Sequence, residues 1–308
     1  MRKSLVAALV TAVTAVLSVG TGPPANAASE YCTQTTPNTS MLLYNDVTGA
    51  AVSGTLAAGR WQQKAAFTLP EDYTSAAVSR DSLLLWNAFR GEGESGTFTD
   101  GKYTRVKVFD DALDGWHYPA ASGDSVLLYK PWGDRVMTGT LKNGVYQQVR
   151  EYDDIGEGWQ VMGSSCDTMV FVKSTEQASG DDLVSLTYGT LQNGVYTQVG
   201  SRDGDAFLAD LATENGDLIA TKDSVLAFSP TDAEFVYKVG TATDGKVSAF
   251  RDGGTSGVWE TVSRTADSVL FYNRDGTART STLSGGHYAD VGPLAGLSPH
   301  WSIIAGGV

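Results

Sequence analysis

A stretch of about 43 residues recurs along most of this chain, and a chain built that way must bury its apolar faces copy against copy. The clearest copy, residues 124–149, reads DSVLLYKPWGDRVMTGTLKNGVYQQV. Anchored on the Ser or Thr that opens the apolar run, copies begin at Ser40, Ser82, Ser125, Thr168, Ser224 and Ser268, spaced 42, 43, 43, 56 and 44 residues apart. Each opens on a β-prone run (MLLY, LLLW, VLLY, MVFV, VLAF, VLFY) and continues to a short strand reading GTL, GTF, GTL, GTL, GTA or STL. A two-residue turn follows: Ala58-Gly59, Asp100-Gly101, Asn143-Gly144, Asn193-Gly194, Asp244-Gly245 or Gly285-Gly286. Such pairs accept the positive φ of a type I′ hairpin. The next strand alternates as one with a single buried face does, for example YTRVKV and YQQVREY. One more strand precedes the anchor. It is led by an aromatic eight residues ahead of the Asp of a recurrent Asp-Ser pair: Tyr73, Trp116, Trp159 and Trp259, with Trp301 opening a last, unfinished copy. Four strands per copy describe a propeller blade. The sequence therefore predicts an all-β fold, a β-propeller of six four-stranded blades over residues 40–308, in which the C-terminal strand completes the blade begun at Ser40.

Ahead of the repeats, Arg2 and Lys3 precede an uncharged apolar run over residues 5–19, and Ala25-Asn26-Ala27 has the small-x-small form of a signal-peptidase site. Residues 1–27 read as a secretory signal and residues 28–39, polar and broken by Pro37, as an N-terminal tail. The apolar run is short for a membrane span. A secreted, extracellular, monomeric protein with no membrane partner is expected. Losing Arg2 and Lys3 takes the formal charge from −13 to −15. So acidic a surface lacks the Lys/Arg footprint that phosphate backbones need, which argues against nucleic acid as a partner. The two cysteines, Cys32 and Cys166, are expected to pair in that compartment. Extended at about 3.3 Å per residue, residues 32–39 can cross one face of the ring to the fourth blade.

Labelling the strands A to D from the channel outward, the D-to-A and B-to-C loops share one face and the short turns share the other. Length variation collects on the first face. Between Thr168 and Ser224 the extra residues fall within 174–183 and 200–214. Variable loops on one side of a regular scaffold are where binding concentrates. Trp132 and Phe89 sit inside B-to-C loops, where the repeat needs no aromatic, while Trp116 and Trp159 open A strands, with blade-to-blade packing as their other reading. Sugar rings stack on exposed aromatic faces flanked by polar groups. Trp132 is thus the candidate platform, Trp116 or Trp159 the adjacent wall, and Asn87, Asp111, Asp154 and Arg135 the candidate hydrogen-bonding groups. The pairs Asp110-Asp111 and Asp153-Asp154 could also serve glycoside hydrolysis or hold calcium, although their spacing is not that of an EF-hand and repeated acidic turns are ordinarily solvated. The Asp of each Asp-Ser pair reads as a turn residue bonding backbone amides. His117, His287 and His300 stand in no HxH, HExxH or GxSxG pattern. No catalytic residue, metal ligand or cofactor is assigned.

The chain resembles secreted bacterial propellers with tachylectin-like repeats. The resemblance rests on GWQVMGSSCDTMVFV, DSVLFY and GTLQNGVY, which follow the pattern GW-x-x-I/V, DSLLFY and GTL-x-x-G-x-Y, and it spans roughly residues 40–308. Repeats four and five depart from it, with Asn215 or Asp217 where Trp would stand. Tachylectin-like propellers are lectins, so the resemblance implies N-acetylated amino sugars bound in pockets between blades. The expectation is a non-enzymatic, lectin-like protein with several weak glycan sites, for amino sugars or cell-wall polysaccharide, strengthened by avidity. A protein-interaction or cell-envelope scaffold is the alternative. A propeller glycosidase or lyase, for which no Asp-box is present, stands behind both.

Overall fold

The computed structural model describes residues 32, 38–130, 134–153, 155, 159–176, 182–204, 206–213, 216–230 and 235–307. The expected signal segment, most of the expected tail, Trp132 and Asp154 lie outside these residues.

Short strands that alternate between neighbours on either side stack as six antiparallel sheets around an axis. The first blade takes β1 (Ser40–Tyr44), β2 (Ala50–Ala57) and β3 (Arg60–Thr68). The second holds β4 (Ser75–Val78), β5 (Ser82–Trp86), β6 (Gly93–Thr99) and β7 (Lys102–Phe109). The third holds β8 (Tyr118–Ser122), β9 (Ser125–Lys130), β10 (Arg135–Lys142) and β11 (Val145–Tyr152). The fourth holds β12 (Trp159–Ser164), β13 (Thr168–Glu176), β14 (Asp182–Gln192) and β15 (Val195–Asp203). A helix, α1 (Ala206–Thr213), leads into the fifth, made of β16 (Asp217–Ala220), β17 (Ser224–Pro230) and β18 (Phe235–Thr243). Its outer edge is shared by β19 (Lys246–Val247) and β20 (Arg251–Ser256), both paired with β18. The sixth holds β21 (Thr261–Arg264), β22 (Ser268–Tyr272), β23 (Ala278–Ser284) and β24 (His287–Leu294). The last strand, β25 (Ile303–Gly306), returns to pair with β1 from Met41↔Gly306 to Tyr44↔Ile303, closing the ring as the sequence predicts.

All six hairpin turns have both central residues at positive φ, from Ala58 (48°) and Gly59 (69°) to Gly285 (58°) and Gly286 (71°). Their role is to hold blades together. Gly144, in the third blade, donates its N–H to Ser82 Oγ of the second at 2.7 Å. Asn143 N–H lies 3.1 Å from both carboxylate oxygens of Asp81, and Ser95 Oγ donates to the Gly144 carbonyl at 2.9 Å. The same clamp joins Asp167 and Thr168 to Asp244 and Gly245, Asp223 and Ser224 to Gly285 and Gly286, and Asp267 and Ser268 to Ala58 and Gly59. At the other two interfaces Ser40 accepts from Gly101 and Ser125 from Gly194, each at 2.9 Å. The recurrent Asp-Ser pair does bond turn amides, but those of the next blade. Gly at the second turn position is required twice over. Gly144 has φ +77°, and a Cβ there would stand 2.7 Å from the Thr97 nitrogen of the neighbouring blade.

Between successive blades lie six apolar cores. Five contain the aromatic that leads strand A: Tyr73, Trp116, Trp159, Trp259 and Trp301. The sixth, between blades four and five, is the one whose A strand is led by no aromatic, and there α1 inserts Phe207, Leu208 and Leu211. The longer period is thus spent in part on filling a core. Cys32 and Cys166 form the expected disulfide, with Cα atoms 5.9 Å apart. Cys166 sits in the A-to-B turn of blade four, so the bridge ties the N-terminal segment to the face of short turns.

Candidate functional site

The A strands β25, β4, β8, β12, β16 and β21 touch one another in that order and enclose a central channel. Its cavity measures about 600 Å³. Strand A begins on the face of the D-to-A loops, so Ser75, Tyr118, Thr261 and Ile303, first residues of their strands, frame a mouth there. The far end of each A strand runs into the short turns.

Aromatic side chains gather on one side of this mouth. Phe89, in the β5–β6 loop, is 68 % exposed and Tyr118 is 56 % exposed. His117 lies between them, with ring centroids 5.2 Å from Phe89 and 6.3 Å from Tyr118. Tyr118 stands opposite Tyr129 in the β8–β9 ladder, their rings 6.3 Å apart. Tyr129 donates its hydroxyl to Asp134 Oδ1 at 2.8 Å, where the loop carrying Trp132 returns to the blade. Burial, and then the Asp134 carboxylate, push the Tyr129 hydroxyl up, so it remains a donor. Burial and the nearby Lys130 ammonium lower His117, partly offset by Asp114, so its ring is neutral at pH 7.

The predicted site residues divide by position. Trp116 and Trp159 are 6 % and 5 % exposed and belong to the inter-blade cores, Trp159 stacking on Phe171 with centroids 3.6 Å apart. Both rings are largely buried against protein, and Trp159 also borders the channel cavity. Asn87 is buried as well. Its Oδ1 accepts from the Phe89 and Arg90 amides and its Nδ2 donates to the Asp72 carbonyl, so it shapes the loop that presents Phe89. Asn45 makes the equivalent bonds to Val47 and Thr48 in the first blade, which marks this Asn as part of the repeat. Asp111 is exposed at φ 50° in the β7–β8 loop. Arg135 is held by Glu151 and Asp153 on the outer part of blade three, away from the channel wall. Backbone bonds from Leu113 to Gly91 and from Gly115 to Ala88 set the loop of Asn87 beside the segment that carries Asp111 and Trp116, whereas Arg135 and Trp159 belong to strands of blades three and four, and the exposed rings at the mouth are Phe89 and Tyr118. One signal for Tyr118 was available: WHYPAA is the copy in which aromatic residues follow the leading Trp, against WQVMG, WETVS and WSIIA.

Two charged side chains line the channel among the described residues, Asp217 and Arg264. Asp217 opens β16 and Arg264 ends β21, so they stand toward opposite ends. Asp217 keeps solvent contact inside the channel, yet the protein around it raises its carboxyl to about 7, a hydrogen bond to the Leu218 amide opposing the shift. No group of three or more His, Cys, Asp or Glu able to hold a metal occurs among the described residues. No helix among them is long and apolar enough to cross a membrane.

No protein-family model matches the chain, and no curated protein matches it either. Solved structures do. A Bacteroides uniformis protein provisionally assigned as a 6-phosphogluconolactonase is 10 % identical, with 86 % of this chain and 98 % of that one covered at a TM-score of 0.51. A counterpart from Bacteroides fragilis is 8 % identical, covering 88 % and 98 % at 0.50. A chain of a nidogen–laminin complex is 9 % identical, covering 87 % and 97 % at 0.50. At such identities the likeness is one of architecture, and it places this chain among the β-propellers.

Proposed function

We propose that this protein is a secreted, lectin-like propeller that binds glycans without chemistry, through the aromatic side of its channel mouth. The observation that carries the reading is the pair Phe89 and Tyr118, two large rings exposed on either side of His117 on the face of the variable loops. Exposed rings of this size are costly to leave in water and suit the apolar faces of sugars. Polar groups surround them. Arg90, paired with Asp72 and Glu92, and the exposed Asp114 can bond hydroxyl or acetamido groups. The tachylectin-like repeat pattern supports the same reading, and the disulfide is compatible with secretion.

A glycan array, with pull-down on insoluble chitin and peptidoglycan, tests the proposal. Covering roughly 40–60 Å² of ring at about 25 cal/mol per Å² is worth about 1–1.5 kcal/mol. Tyr118→Ala and Phe89→Ala should each weaken the selected glycan by roughly tenfold with melting unchanged, because both rings are exposed. Retention of no glycan would favour the interaction scaffold, and unchanged affinity in both variants would move the site elsewhere.

A further inference from the structure

Arg264 carries a charge into the channel, and among the described residues no carboxylate bonds to it. The equivalent position, opposite the residue after each blade's Ser or Thr, holds Val78, Ala121, Ser164, Ala220 and Gly306 in the other blades. Its Nη2 donates to Ser164 Oγ at 2.9 Å and to the Ala121 carbonyl at 3.3 Å. Both acceptors are neutral, so they fix the guanidinium without compensating it. Nη1 is covered and has no hydrogen-bond partner among the described residues. Burial alone pushes the group down to about 9, with no carboxylate raising it, and it remains a cation at neutral pH. A buried cation is costly when unpaired and much less so beside an anion. The half-buried side chain nonetheless lines the cavity.

The rest of the lining sets what the anion can be. Ala77, Ala120, Leu218, Ile219, Val262 and Ala305 give the wall an apolar part, and Tyr118, Tyr129, Ser164 and Ser263 bring hydroxyls to the rest. A wall of both kinds suits an organic body that presents apolar and polar surface together, which inorganic sulfate and phosphate lack. The cavity volume of about 600 Å³ falls within the range of small-molecule sites. Asp217, toward the mouth, in its ionised form repels an anionic head lodged high and leaves the Arg264 end as the favourable one. We propose that the channel is a binding site for a small organic carboxylate, its head held by the Arg264 guanidinium and its organic body against the channel wall. This site is separate from the glycan surface and does not rest on it.

Calorimetric titration of the wild-type protein with hexanoate and benzoate, beside hexanol, benzyl alcohol and inorganic phosphate, tests the proposal. The carboxylates should bind at one site, at least about tenfold tighter than the matching alcohols, since a charge-assisted hydrogen bond separates the two. Phosphate should bind more weakly than either carboxylate. Arg264→Gln should abolish the preference for carboxylate over alcohol. Equal affinity for acid and alcohol, no carboxylate binding, or a preference for phosphate would each overturn the proposal on wild-type protein alone, whether or not the variant folds. A folded Arg264→Gln that still prefers carboxylates would do so as well.

Discussion

Replacing Ser82 by Ala removes a single oxygen from the interface between the second and third blades. That oxygen is fully buried. It accepts from the Gly144 N–H at 2.7 Å and donates to Asp81 Oδ1 at 2.5 Å. Without it the Gly144 amide has no acceptor and cannot reach water, because the Asp81 oxygens already face Asn143. An orphaned buried amide costs about 1–3 kcal/mol. For a chain of this size that is a fall in Tm of roughly 3–8 °C in differential scanning calorimetry. Ser82→Thr is the control, because Thr168 fills the same role toward Gly245 at 2.9 Å in the fourth blade. It should keep most of the stability. A Ser82→Ala protein that melts with the wild type would show that the clamp is incidental to the joining of blades.

The carboxyl of Asp217 is raised from 3.8 to about 7, so between these values the native protein holds a proton that the unfolded chain has lost. Its contribution is therefore a loss of stability as pH rises through that window, and Asp217→Asn should be more stable than wild type at pH 8 and no different near pH 4 in urea titrations. Deleting residues 299–308 removes β25 and Trp301 and uncovers β1, whose residues Met41–Tyr44 are fully buried; cooperative unfolding should be lost, and a Tm within about two degrees of wild type would contradict closure by the C-terminal strand. Reducing the bridge between Cys32 and Cys166, 134 residues apart, should cost about 4–5 kcal/mol on the chain-entropy account, and two alkylatable thiols in the unreduced protein would refute the pairing.

The blades, their number and their closure were legible because each rests on local chemistry repeated many times: period-2 runs, paired turn residues with positive φ, and a leading aromatic. What escaped the sequence involves partners far apart. The Asp-Ser pair reads locally as a turn, yet Ser82 and Gly144 meet 62 residues apart. The long fourth period reads as loop, yet Phe207, Leu208 and Leu211 form a helix that fills the core where Trp is missing. A Trp at the head of strand A looks the same whether it faces solvent or the next blade. Only the packing separates the buried Trp159 from the exposed Tyr118 of the neighbouring blade. Asn87 illustrates the same limit, since an amide beside an aromatic is equally apt as a ligand group and as a turn brace.

The reading of function stands on the face of the variable loops, and nuclear magnetic resonance tests that face directly. The glycan selected by the array would be titrated into isotopically labelled protein while the backbone amides are followed. Shifts should concentrate at residues 87–92 and 114–119, around Phe89 and Tyr118, with the hairpin turns of the opposite face, such as residues 143–144 and 193–194, unmoved. Shifts confined to those turns, with Phe89 and Tyr118 silent, would contradict the account.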